Sequence, residues 1–228
     1  MARLNKQVLG RVRGAVGDIV FRERNGKNFI GLKPSRFIPG TDEASIARRA
    51  RFALNAKLAS TINNNDQLKS IWFNKAPSGL SSHNFILRQN YPLVQPGNIS
   101  DMVKILPDKG FGLSSGNLTV SSTQISVSVG PIGTNTGIDA EAEPNTKLYC
   151  LLYLYDAVDE SIESGNFMLF TSANQATVLD SELTFNFALT NQETLLFSNY
   201  HMTKVLFALV TLDSAGNIIR NSNTITGV

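Results

Sequence analysis

KLYCLLYLY (residues 147–155) and KVLFALVTL (residues 204–212) are the longest apolar stretches of the chain, and they decide its fold. Each has the length of a β-strand, far short of the roughly 20 residues that a membrane-spanning helix needs. Their apolar residues run nearly without interruption, which is typical of strands covered on both faces. We therefore predict two central strands and no membrane span.

Five further segments around these two stretches have the composition of shorter strands. Two of them alternate apolar and polar residues, which is the period of a half-covered strand. The turns between segments are rich in Gly, Asn, Asp and Ser. Together the seven segments predict an antiparallel β-sandwich of immunoglobulin-like size over residues 101–228. The five segments are Gly116–Ser121, Gln124–Val129, Phe167–Thr171, Leu183–Phe187 and Ile218–Ile225.

The sequence before the sandwich changes to a helical period. Apolar residues recur at helical spacing, which predicts a helix over residues 43–62 with Thr41 as its N-cap. Shorter helices are expected around residues 68–72 and 82–89, followed by a linker with Pro92, Pro96 and Gly97. We assign residues 1–100 to a first domain. The long helix is expected to face a core through Ile46, Ala53, Leu54, Leu58 and Ile62.

The start of the chain contains a hairpin pattern. Ile19–Arg24 and Lys27–Leu32 flank Asn25-Gly26, and this dipeptide favours a type I′ turn between two strands because both central residues need positive φ. The predicted fold class is therefore α+β, mainly β. It has an N-terminal β-hairpin and short helices, followed by an immunoglobulin-like antiparallel β-sandwich.

Charge is distributed unevenly along the chain. Residues 1–58 contain 13 Lys and Arg against 4 Asp and Glu, a net charge of +9. Residues 59–228 contain 8 against 14, a net charge of −6. Such asymmetry indicates a segment that meets an acidic partner, which could be nucleic acid, an anionic surface or another subunit.

The candidate binding residues lie in this basic segment. Strand alternation would place Arg22 and Arg24 on one face of the hairpin and Phe21 and Glu23 on the other. A basic ribbon with aromatic side chains could bind phosphates and stack bases; alternatively the arginines are an exposed face and the phenylalanines are core. We favour docking onto an acidic surface of another copy or of a partner. The partner-binding set is Arg11, Arg13, Phe21, Arg22, Arg24 and Phe29.

No pattern of catalytic or cofactor-binding residues stands out. Gly10, Gly14 and Gly17 do not match a dinucleotide or phosphate loop. His83 and His201 fall in different predicted domains, which gives no support to a shared metal site. We therefore expect no catalytic residue, no metal, no cofactor and no enzymatic activity. Cys150 lies in the apolar run and is expected to be a buried, inert thiol.

Several motifs resemble an uncharacterised bacterial family, known only as a domain of unknown function. The resemblance rests on Gly10-x-x-x-Gly14-x-x-Gly17-x-x-Val20, Asn25-Gly26-Lys27, Leu32-Lys33-Pro34-Ser35, Arg48-x-x-Arg51-Phe52 and Asp213-x-Ala215-Gly216-x-x-x-x-Asn221-Ser222. It implies a Gly-rich basic N-terminal hairpin, a helical connector and a C-terminal β-sandwich. These motifs are structural, so the resemblance implies no catalytic residue.

These observations favour a non-enzymatic structural subunit of an assembled particle, for which a phage virion is our first choice. Its expected partners are copies of itself and other structural subunits. The alternatives are a sugar- or peptide-binding sandwich and a nucleic-acid-binding protein that uses the basic segment. The basic N-terminus is not followed by an apolar signal-peptide core, so we expect synthesis in the cytoplasm and a final place in the particle.

Overall fold

The computed structural model describes residues 2–3, 13–24, 27–33, 39–107 and 110–227. The chain divides into two compact units. The N-terminal unit consists of residues 1–46 with 77–80, and the main unit consists of residues 47–76 with 81–228. In the described ranges, no helix combines the length and apolarity needed to cross a membrane.

The N-terminal unit contains an antiparallel sheet of β1 (Ala2–Arg3), β2 (Gly14–Val16), β3 (Ile19–Arg24) and β4 (Lys27–Leu32). Its strand order is β1-β4-β3-β2, and the pairing of β3 with β4 confirms the predicted hairpin. Arg24 pairs with Lys27, while the Asn25-Gly26 turn itself lies outside the described residues. A second two-residue turn at Gly17-Asp18 joins β2 to β3, and Gly17 has the positive φ of +57° that such turns favour.

Three helices follow in the order α1 (Glu43–Asn63), α2 (Asp66–Lys75) and α3 (Ser82–Asn90). They confirm the predicted long helix and the two shorter ones. The predicted N-cap at Thr41 is wrong, because the side chain of Asp42 accepts the hydrogen bond from the Ser45 N–H at 2.9 Å. Hydrogen bonds from the side chain and from the N–H of Ser45 lower the pKa of Asp42 and keep its carboxylate charged beside the helix N-terminus.

The buried stripe of α1 differs in part from the predicted one. Leu54, Leu58 and Ile62 are buried as expected, whereas Ile46 and Ala53 are exposed. The stripe also contains residues one position further along the helix, because the Asn55 amide turns inward and donates to the Leu87 carbonyl at 2.8 Å. Its members are Leu54, Asn55, Leu58, Ala59 and Ile62.

The described part of the main unit contains two larger sheets and one short ribbon. Its elements are β5 (Val94–Gln95), β6 (Asn98–Ile99), β7 (Ser115–Val120), β8 (Gln124–Val129), β9 (Asn145–Ala157), β10 (Gly165–Thr171), β11 (Gln175–Ala176), β12 (Leu183–Ala188), α4 (Asn191–Ser198), β13 (Tyr200–Leu212), β14 (Ile218–Asn221) and β15 (Ile225–Thr226). The large sheet has the order β10-β9-β13-β14, with β11 paired to β9 and β15 to β13; the small sheet has the order β12-β8-β7, and β5 pairs with β6. These strand pairs are all antiparallel. Six of the seven predicted strands are present, and the seventh, Ile218–Ile225, is divided into β14 and β15, which pair with different parts of β13.

The central strands β9 and β13 are covered on both faces. One face of β9, including Cys150 and Leu152, packs in the core between the two sheets. Residues of the other face are equally buried. The hydroxyl of Tyr149 donates to Gln67 Oε1 of α2 at 2.9 Å, and that of Tyr153 donates to the Gly97 carbonyl in the β5–β6 turn at 2.8 Å. Burial on both faces explains the nearly unbroken apolar run in the sequence.

The helices that cover this face of the large sheet belong to the main unit. Trp72 of α2 is fully buried, and its indole N–H donates to the Ile105 carbonyl at 2.9 Å. Residues 47–76 and 81–100 therefore belong to the same compact unit as the strands that they cover. The domain boundary predicted between residues 100 and 101 does not coincide with this division.

Candidate functional site

The register of the N-terminal sheet aligns three apolar residues across three strands. The turn at Gly17-Asp18 places Val16 opposite Ile19, and the β3–β4 pairing places Ile19 opposite Leu32. Directly opposed residues share a face of a sheet. Val16, Ile19 and Leu32 therefore form one continuous row, which we call the apolar row.

The apolar row is open to solvent. Val16 is 71% exposed, Ile19 43% and Leu32 79%. The next row on the same face, Phe21 and Ile30, is half-buried. The row after that is covered, because the Glu23 side chain is only 6% exposed and Asn28 is buried. The face thus passes from covered to exposed toward the Gly17-Asp18 turn, and its exposed end is entirely apolar.

The predicted partner-binding residues do not share one face. Arg22 is exposed and stands opposite Phe29, whereas Phe21 stands opposite Ile30 on the other side of the sheet. Both phenylalanines are half-buried. A partner on one face would therefore meet at most one of the two aromatic rings directly.

The remaining predicted arginines have different surroundings. Arg13 is exposed and pairs with Glu23, to whose Oε2 its Nη2 donates at 2.9 Å and its Nε at 3.1 Å. Part of the basic charge is therefore compensated within the sheet. The backbone of Arg24 pairs with that of Lys27, while its side chain and the whole of Arg11 lie outside the described residues.

Sequence reasoning missed the apolar row, although the signal was present. The pairing of Arg24 with Lys27 fixes the register of β3 and β4, so counting back from these residues places Ile19 opposite Leu32. The basic charge of the segment pointed to the arginines, whereas the apolar row becomes visible only when the residues are aligned across the strands. The Gly17-Asp18 turn, which adds Val16 to the row, was not predicted.

Two acidic stretches of the main unit, residues 139–143 and 156–160, differ in their surroundings. In the stretch 139–143, Glu143 is buried and forms an ion pair with Arg220, with 3.0 Å between Oε1 and Nε. The stretch 156–160 is exposed except for Ala157, and Asp159 accepts from the Ser161 N–H at 2.7 Å. That hydrogen bond lowers the pKa of Asp159, so the loop keeps its negative charge.

Two open cavities of ligand size lie among the described residues of the main unit. One has about 390 Å³ and lies between α2 and the β13–β14 turn, where Asp66, Ser70, Asn74 and Asn217 supply polar groups. The other has about 280 Å³ and lies between α1 and the β9–β10 loop. At its wall Lys57 forms an ion pair with Glu163 and donates to the Gly165 carbonyl at 3.0 Å.

The chemistry of the single cysteine agrees with an inert role. Cys150 is fully buried in the core between the two sheets, and this burial raises the pKa of its thiol far above the ordinary range. A thiol in such a place is neither ionised nor accessible, which is the opposite of a catalytic nucleophile.

Comparison with known proteins leaves the chain without an assigned relative. No family model and no curated protein matches it. Two crystal structures of β-glucosidase from Kluyveromyces marxianus, one selenomethionine-labelled and one in complex with glucose, are similar at 10% and 13% identity and TM-scores of 0.22 and 0.21. The matches cover 58% and 59% of this chain and 16% of each β-glucosidase chain. Scores this low carry no argument, and the resemblance to the uncharacterised bacterial family stays a prediction.

Proposed function

We propose that this protein is a non-enzymatic structural subunit of an assembled particle and that it docks through the sheet of its N-terminal unit. The apolar row carries this proposal. Three adjacent aliphatic side chains exposed on one sheet face are unfavourable in water, and burying them against a partner would stabilise a complex. The two end strands of the sheet, β1 and β2, have only two and three residues. A sheet of such short strands depends on further packing for its stability.

The basic character of the segment supports a protein partner with an acidic surface. Residues 1–46 contain 9 Lys and Arg against 4 Asp and Glu. In this proposal the apolar row supplies the buried contact, and exposed cations such as Arg22, Lys27 and Lys33 supply attraction around it. We propose copies of the same chain and other structural subunits as the partners, and a phage virion as the particle.

The test introduces a charge into the apolar row. Leu32→Glu replaces an exposed residue, so the fold should be retained while the docking contact is disrupted. Ile219→Glu is the matched control, because Ile219 is also an exposed strand residue but lies in the main unit. We expect the wild-type chain and Ile219→Glu to form species larger than a monomer in sedimentation velocity, and Leu32→Glu to remain monomeric. A wild-type chain that stays monomeric at high concentration and low salt would refute the proposal.

A second candidate function is the binding of a sugar or a short peptide by the main unit. The observation that favours it is the cavity of about 390 Å³ beside the β13–β14 turn, which has the size of a ligand site and several polar groups at its wall. Asn74→Trp would fill this cavity from the exposed side of α2. Glycan-array signals that disappear in Asn74→Trp would support this candidate, and the absence of signals from the wild-type chain would count against sugar binding.

A further inference from the structure

The structure suggests a specific receptor for the apolar row. We infer that it docks onto the loop-rich end of the main unit of a second copy, at residues 156–164 and 191–202, which we call the acidic end. This inference rests on the proposed function and identifies the partner surface.

The acidic end is one region because its segments are joined by backbone contacts. The Val158 N–H donates to the Asn199 carbonyl at 3.0 Å, and Ala157 pairs with Tyr200 at the start of β13. The helix α4 leads into this strand through Asn199, whose N–H donates to the Leu196 carbonyl at 3.2 Å. The β9–β10 loop, α4 and the first residues of β13 therefore meet at one end of the large sheet.

This end combines negative charge with exposed apolar side chains. Its two segments contain five acidic residues and no Lys or Arg. Val158, Leu195 and Met202 are exposed large hydrophobic residues on its three elements. An acidic surface with exposed aliphatic groups is complementary to a basic segment with an exposed aliphatic row.

The other acidic stretch is a poorer receptor. In residues 139–143 the Glu143 carboxylate is buried and already compensated by Arg220. Arg220 also places a partly exposed cation at this stretch, and its Nη1 donates to the Thr136 carbonyl at 3.3 Å. A basic partner would therefore meet a cation there. At the acidic end the corresponding cation is Lys57, which is ion-paired with Glu163, while Asp159 and Glu160 are exposed.

The two proposed surfaces lie on different parts of the chain, so the contact is heterologous. Each copy would use its N-terminal sheet on one neighbour and its acidic end on the other. Such contacts produce a ring when the rotation closes and a filament when it does not. Stable interfaces bury on the order of 800 Å² per partner, so the charged surroundings of the apolar row must take part as well.

A mixing experiment tests this arrangement with full-length chains. The head variant is Leu32→Glu, which retains the acidic end. The end variant is Asp159→Lys with Glu160→Lys, which retains the apolar row. The matched control is Asp139→Lys with Glu141→Lys, because Asp139 is also exposed and accepts from the N–H two residues later, at 3.0 Å. Val16→Glu serves as a second head variant, and circular dichroism checks that every chain is folded.

We expect the wild-type chain and the control to form large species, and each variant to remain a monomer of 24.9 kDa when alone. An equimolar mixture of head and end variants should form a dimer of about twice that mass, because one intact row can dock on one intact acidic end. If the end variant assembles like the wild-type chain while the head variant does not, the proposed function stands and this inference is overturned. A mixture that remains monomeric also overturns it. A wild-type monomer under all conditions overturns both.

Discussion

Glu143 and Arg220 form an ion pair in which the carboxylate is buried and the guanidinium reaches solvent. The side chains are 3% and 45% exposed, and 3.0 Å separates Oε1 from Nε. The hydroxyl of Thr211 donates to the second carboxylate oxygen, and the hydroxyl of Thr177 donates to the Glu143 carbonyl. This one residue therefore connects the loop before β9 to β13, to β14 and to the segment after β11.

Removal of the arginine should leave a buried carboxylate with one fewer compensating partner. We expect Arg220→Ala to lower the free energy of unfolding by about 1–3 kcal/mol, since the remaining charge is poorly solvated. Arg88→Ala, at an exposed position of α3, is the control and should change it by less than about 0.5 kcal/mol. Urea denaturation of both variants measures the difference, and equal effects would contradict the role given to the pair.

A methyl group at Gly165 should be destabilising. A Cβ atom there would lie 2.9 Å from Cε2 and from the hydroxyl oxygen of Tyr153, whose ring is held by stacking on Tyr155 and Phe167. We expect Gly165→Ala to lower the free energy of unfolding by about 1–3 kcal/mol through overpacking. Gly112→Ala is the control, because its Cβ would meet no atom within 4 Å and its φ is not positive. Thermal melting of both variants checks this expectation.

Leu58 and Ile46 of α1 were both expected to face the core, but only Leu58 is buried, so their substitutions should differ in effect. Leu58 is fully buried, so Leu58→Ala should cost about 2–5 kcal/mol of unfolding free energy. Ile46 is 52% exposed, so Ile46→Ala should change stability by less than about 0.5 kcal/mol. The two variants can be compared by urea denaturation. A large effect at Ile46 would contradict its exposed position.

Burial of tyrosines on the helical side of the large sheet should make stability sensitive to alkaline pH. Burial, with smaller contributions from Tyr155 and Tyr200, raises the pKa of Tyr153 to about 12. A raised pKa in the folded state means that the contribution is complete below the ordinary value near 10 and is lost as the pH rises through 12. The urea midpoint should therefore fall between pH 10 and 12. Tyr153→Phe should reduce this fall, whereas the control Tyr91→Phe should not.

The fold was predictable where the pattern reports burial directly. The unbroken apolar runs of β9 and β13 arise because both faces of these strands are buried, and β8 alternates because Ile125, Val127 and Val129 lie in the core between the two sheets. Periodicity was less informative at α1, because apolar residues at helical spacing do not show which of them are buried by neighbouring elements. α4 was missed because it has only eight residues, although Thr190 and Glu193 form a capping box that marks its start.

The candidate site was predictable only in part. Charge and the Asn25-Gly26 pattern located the hairpin, but the distribution of residues over its faces depends on register. The Gly17-Asp18 turn and the pairing of Ile19 with Leu32 determine that register. The ion pair of Arg13 with Glu23 could not be derived from the sequence either, since it joins a residue just before β2 to a residue of β3.

Protein docking and nucleic-acid binding would both use the basic segment, and both would weaken with salt, but they differ in how steeply duplex binding depends on salt. A surface that neutralises phosphates gives a log–log salt dependence near −0.9 for each phosphate contact. In the described part of the sheet, Arg13 is already paired with Glu23, which reduces the charge available to a duplex. We expect duplex binding at physiological salt to be no tighter than a Kd of about 10⁻⁶ M, the range of non-specific association. The quadruple variant with Arg11, Arg13, Arg22 and Arg24 all replaced by Ala should then weaken assembly in sedimentation velocity, while Leu32→Glu should abolish assembly and reduce the weak duplex binding only slightly, through its one added negative charge. Fluorescence anisotropy with a random duplex between about 50 and 200 mM salt measures the slope. Nanomolar, steeply salt-dependent binding that the four substitutions remove would show that the segment binds nucleic acid instead.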